Sequence, residues 1–98
     1  MLTAIVLRDS ERALLNGHQV MALEHLLHER FSEVARARRS GDSALLLAIK
    51  AADYLAPLFE ELGDDAAFAL LDEVRGSALA QTAFDRVTAM AALTDRAA

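Results

Sequence analysis

The chain is predicted to fold as a small all-α bundle of four to five helices, on three observations. Proline occurs once and glycine four times in 98 residues, and β-branched residues are scarce, so the signals on which a sheet depends are missing. Apolar residues reach 54% while aromatics stay at 5%, which asks for an interior of Leu, Val, Ile and Ala in closely packed helices. Gly beside Asp or Ser recurs at "SGD" (40–42), "LGDD" (62–65) and "RGS" (75–77), where one helix can end and the next be capped.

These boundaries predict helices at about 18–39, 43–62, 65–75 and 77–94, with connections short enough for antiparallel neighbours. The length fits a single domain over 1–98, with 95–98 as a frayed tail and 1–8 as an arm or early turn. The first 17 residues leave two readings open. "DSERALLNG" reads as a short helix capped by Asp9 or Ser10 and ended at Asn16-Gly17. Against a break there, two rows of seven-residue spacing run through Gly17: Val6, Ala13, Val20, Leu27, Val34 and Leu7, Leu14, Met21, His28, Ala35. Such rows suit packing along another long helix, and one interior Gly costs only about 1 kcal/mol against Ala.

On a helical wheel for 18–39, Val20, Leu23, Phe31 and Val34 fall within roughly 40° of Leu27, defining a buried stripe. His18, His25, Glu29 and Arg36 fall opposite and are expected to face solvent, with His28 at the stripe's edge, hydrogen-bonded to Glu24. In "SALLLAIKAADYLAPLFEEL" (43–62) apolar residues cover roughly 200° of the circumference, so this helix is expected at the centre of the domain, kinked at Pro57 where the Asp53 carbonyl loses its partner. The last two helices are Ala-rich with a few large residues: Phe68, Leu71, Val74, Phe84, Val87 and Met90.

Composition narrows function more than it defines it. Without cysteine, thiolate metal sites, disulfides and cysteine nucleophiles are excluded. No apolar run approaches the ~18 residues of a membrane span, and "MLTAIVL" lacks the basic lead and cleavage site of a signal peptide. A soluble, cytoplasmic protein is expected. Arg strongly outnumbers Lys among the 10 basic residues, which with the abundant Ala points to a GC-rich bacterial gene. The net charge of −5 comes from the C-terminal half and opposes nucleic-acid binding. "RARR" (36–39) could form a basic patch, but the helix after it presents Leu45, Leu46, Leu47 and Ile49 where a recognition helix would need polar side chains.

"LEHLLHER" (23–30) poses the one question of chemistry. His25 with Glu29 or His28 could chelate an ion from one helix, yet no second helix carries a histidine, so the metal reading of His25, His28 and Glu29 would need a second chain. There is no serine elbow, no phosphate-cradling glycine loop and no calcium-loop spacing, so neither an enzyme nor a cofactor is expected. The expected role is non-catalytic association, with itself as a dimer or with a helical partner, through Leu14, Val20, Met21, Leu27 and Val34, the core being shared across the interface. The stretch "ERALLNGHQVMALEHLLHERFSEV" (11–34), a quarter of the chain, resembles the long first helix of the flagellar and type III export chaperones. That resemblance implies an export-chaperone role as the alternative, although the apolar helix at 43–62 and the short Ala-rich helices after it depart from a simple two- or three-helix rod.

Overall fold

In the computed structural model, residues 2–38 and 41–97 are described, with side chains as far as residue 92. They form six helices, more than the four to five expected: α1 (Leu2–Val6), α2 (Asp9–Arg12), α3 (Gly17–Ala37), α4 (Gly41–Leu62), α5 (Asp64–Arg75) and α6 (Ala78–Ala97). Among the described residues there is no strand, and no helix is long and apolar enough to cross a membrane.

The difference in number arises before Gly17. There the chain breaks rather than running through, because Asn16 and Gln19 close a reciprocal cap. The Gln19 N–H donates to Asn16 Oδ1 at 2.8 Å and the Asn16 N–H to Gln19 Oε1 at 2.9 Å, satisfying donors that a continuous helix would have used internally. Gly17 therefore opens α3. The seven-residue rows lose their phase at this break: Leu14 lies in the turn after α2 and is 78% exposed. The single long helix over 11–34 implied by the resemblance to export chaperones is not formed.

The later boundaries follow local chemistry. Gly63, at φ 81°, takes the left-handed conformation that glycine adopts without penalty and turns the chain from α4 into α5. Its N–H closes α4 on the Phe59 carbonyl at 2.9 Å. Ser77 Oγ accepts the Ala80 N–H at 3.2 Å, capping α6. Arg39 and Ser40, where part of the basic run and the turn between α3 and α4 were expected, lie outside the described residues. α4 is one helix across Pro57.

α3, not α4, is the centre of the domain. α1, α4, α5 and α6 all pack on it, whereas α4 packs on α3 and, through its C-terminal part, on α5. Leu23, Leu27, Leu58 and Val87 are fully buried, with Ala22, Ala67, Ala80 and Ala83 admitting close approach of the helices between them. The N-terminal helices are fastened to α6 by Arg86, which donates to the Val6 carbonyl at 2.9 Å and to the Glu11 carboxylate at 2.7 and 3.2 Å. The radius of gyration, 13.4 Å, is close to the ~13 Å of a compact domain of this length.

Candidate functional site

Two features stand out as candidate sites: a file of buried polar side chains on α3 and an uncovered apolar stripe on α4. The file consists of Glu24, His25, His28 and Ser32, each 8% exposed or less. His25 thus corrects the wheel, which placed it on the solvated side. The wheel assumes one buried stripe, but α3 is covered from several directions. Glu29 and Arg36 are exposed as expected, and His18 is half-buried with Nε2 2.7 Å from Glu61 Oε2.

Each member of the file is satisfied inside the chain. The His25 Nδ1–H donates to the Ala51 carbonyl at 2.7 Å, and the Ser32 hydroxyl to the Ala44 carbonyl at 2.7 Å. A carbonyl can only accept, so Nδ1 is the donor in this bond; Nε2 lies 3.3 Å from Glu29 Oε2. His25 and Ser32 are seven residues apart, as are Ala51 and Ala44 in the reverse direction, so the two bonds stitch α3 and α4 into an antiparallel pair in one register. Both alanines are buried, and their lack of bulk lets the α3 side chains reach α4 backbone carbonyls.

His28 faces different partners. Its Nδ1–H donates to the Glu24 carbonyl at 2.8 Å, and its ring lies 5.1 Å from that of Tyr54. The expected bond to Glu24 is therefore made to the backbone, with Glu24 Oε2 3.4 Å away. The Glu24 carboxylate, 1% exposed, accepts the Thr3 N–H at 2.9 Å, the Leu2 N–H at 3.3 Å and the Thr3 hydroxyl. It thereby satisfies the free N–H groups that open α1. Tyr54 lies close enough to feel this charge: burial first, then Glu24 and Asp53, push its phenol above the ordinary value of 10.0.

These contacts are hydrogen bonds completed within the chain. Among the described residues no group of three or more His, Asp or Glu side chains could hold a metal ion. His25 Nε2 lies beside Glu29, whereas His28 turns to the Glu24 carbonyl and Tyr54, so the metal candidates His25, His28 and Glu29 are not brought onto one point. A cleft of about 230 Å³ opens beside His25 and Glu29, and a more apolar hollow of about 380 Å³ beside Val20, Met21 and Tyr54.

No family model, curated protein or solved structure matches the chain.

Of the residues expected at an interface, Leu27 is 0% exposed in the chain's own core, Val20, Met21 and Val34 are half-buried, and Leu14 is exposed. The larger uncovered apolar surface is elsewhere. Leu45, Leu46 and Ile49 on α4 are 62%, 61% and 51% exposed. They occupy one stripe, since residues three and four apart share a helix face. The signal for it is present in the sequence as the broad apolar arc of this helix, which fits an uncovered face as well as a central position. Glu24 is legible in the sequence only as a partner of His28, not as a buried carboxylate that caps α1, and Ser32 not at all. The one trace of Ser32 is spacing: it lies seven residues after His25, opposite a matching pair of alanines.

Proposed function

We propose that the chain is a non-catalytic association module whose contact surface is the outer face of α4, docking against another amphipathic helix. The observation that supports this is the stripe Leu45, Leu46 and Ile49, more than half exposed while the chain's other large aliphatic residues are mostly gathered around α3. Covering apolar surface is favourable by about 25 cal/mol per Å², and contiguous exposed patches on folded domains mark interaction sites. The buried polar file supports the same reading by serving the scaffold, holding α4 in a fixed register on α3. A bend at Pro57 would leave the first four turns of α4 as the presented segment, and the partner helix would complete the cover that α4 lacks.

A photo-crosslinking residue at Leu46 tests this in the cells that make the protein, with the same residue at exposed Glu73 on α5 as the control. A discrete adduct at position 46 that is absent at 73 is expected. Equal or absent labelling at both positions overturns the assignment of α4 as the contact surface.

A further inference from the structure

The exposed stripe is bracketed by opposite charges. Asp42, Leu45, Leu46, Ile49 and Lys50 stand at i, i+3, i+4, i+7 and i+8, the spacing of one helix face, and all five are exposed. Neither Asp42 nor Lys50 has an ion-pair partner among the described residues. An acid at one end and a base at the other, with the apolar residues between, form a pattern complementary to its own reverse. A second α4 laid antiparallel, with its Leu46 over this Leu46, sets each Lys50 across from the other copy's Asp42. A parallel copy in register sets Asp42 against Asp42 and Lys50 against Lys50. Beside the stripe a depression of about 270 Å³, lined by Phe31, Ser43, Leu46, Leu47 and Lys50, offers room for an apolar side chain from across the interface.

We infer that the occupant of the α4 face is a second copy of this chain, docked antiparallel about a two-fold axis at Leu46 and held in register by two Lys50–Asp42 pairs. The inference rests on the reading of α4 as the contact surface and adds the partner and its direction. An isologous contact of this kind is self-limiting, because the two-fold uses the same patch on both copies and leaves none free. It is also small. Three turns of one helix bury well under the ~800 Å² per partner of a standard stable interface, so the dimer dissociates in the micromolar range and shows a clear concentration dependence.

The absence of native cysteine makes the geometry directly testable on the purified full chain. Leu46→Cys and Asp53→Cys place single thiols one heptad apart on the same stripe. Under mild oxidation the antiparallel dimer cross-links through position 46, where facing Cα atoms come within disulfide range. It does not cross-link through 53, where the two thiols are separated by fourteen residues of helix, about 21 Å at 1.5 Å per residue. A parallel dimer cross-links at both, and that result overturns the inference while leaving α4 as the contact surface. Sedimentation of the uncrosslinked protein supplies the second measurement. Lys50→Asp and Asp42→Lys, each at an exposed position, are expected to weaken dimerisation about tenfold by setting like charges together, and the double swap to restore it. A double swap no better than either single change, or a protein monomeric at hundreds of micromolar, overturns the inference. A monomer that still gives the position-46 adduct in cells shows that α4 takes a different helix.

Discussion

Glu24 Oε1 lies 2.9 Å from the Thr3 amide, so a carboxylate in the middle of α3 caps a helix at the other end of the N-terminal segment. Local caps come from the residue just before a helix; this one comes from a neighbouring helix and ties α1 to the core. A buried carboxylate is tolerated because its acceptor sites are occupied and because the start of a helix carries partial positive charge.

Glu24→Ala is therefore expected to destabilise the fold by about 1–3 kcal/mol, the penalty of leaving buried donors unsatisfied. The loss should be concentrated in α1. The amide of Leu7, which donates to the Thr3 carbonyl at 3.0 Å, should exchange with solvent much faster in the variant than amides in the middle of α3. Uniform acceleration across all helices would show that Glu24 supports the core as a whole rather than α1.

Leu27 and His25 offer a graded test of the α3 packing. Leu27→Ala removes a fully buried side chain and should cost about 2–5 kcal/mol. His25→Ala removes one buried hydrogen bond and part of a ring, and should cost about 1–2 kcal/mol. A denaturant titration in which His25→Ala matches a surface change, within about 0.5 kcal/mol, would contradict the stitch between His25 and Ala51.

The Glu11–Arg86 pair predicts how stability responds to acid. The hydrogen bond from Arg86, then that from the Arg8 backbone, hold the Glu11 carboxyl below its ordinary value of 4.5. A carboxyl lowered on folding contributes stability that is present above its unfolded value and is lost as pH falls through the folded one. Glu11→Gln should thus melt below the parent protein at neutral pH, and the gap should close as the pH drops below about 4. A gap that persists unchanged into acid would assign the effect to lost packing rather than to charge.

Tyr54 is the one tyrosine in a chain without tryptophan, so its ionisation can be followed by ultraviolet absorption without interference. Because burial and the charges of Glu24 and Asp53 push its phenol above 10.0, ionisation in the folded chain should come later than in denaturant. A phenol raised on folding contributes stability that is full below the unfolded value and is lost as pH rises through the folded one. Glu24→Gln should bring the folded titration part of the way back. No change in that variant would leave burial and Asp53 as the causes.

Where the helices begin was largely legible in the sequence, because a helix boundary is decided by a few neighbouring residues. Asn16 with Gln19, Gly63 and Ser77 cap or turn the chain with their own atoms, and the lack of sheet formers left helices as the architecture. Only the break before Gly17 stayed open, since a repeat of apolar residues does not weigh the local cap that ends it. What each helix faces was decided by tertiary structure. A wheel assigns one wet side to α3, but packing from four other helices buries His25, Glu24 and Ser32 as well, and their acceptors and donors are backbone groups of other helices that no side-chain pattern announces. The apolar breadth of α4 was visible too, yet a Leu or Ile states only that leaving water is favourable. Which surface provides the cover depends on where the rest of the chain goes, and here it goes around α3, leaving Leu45, Leu46 and Ile49 on the outside.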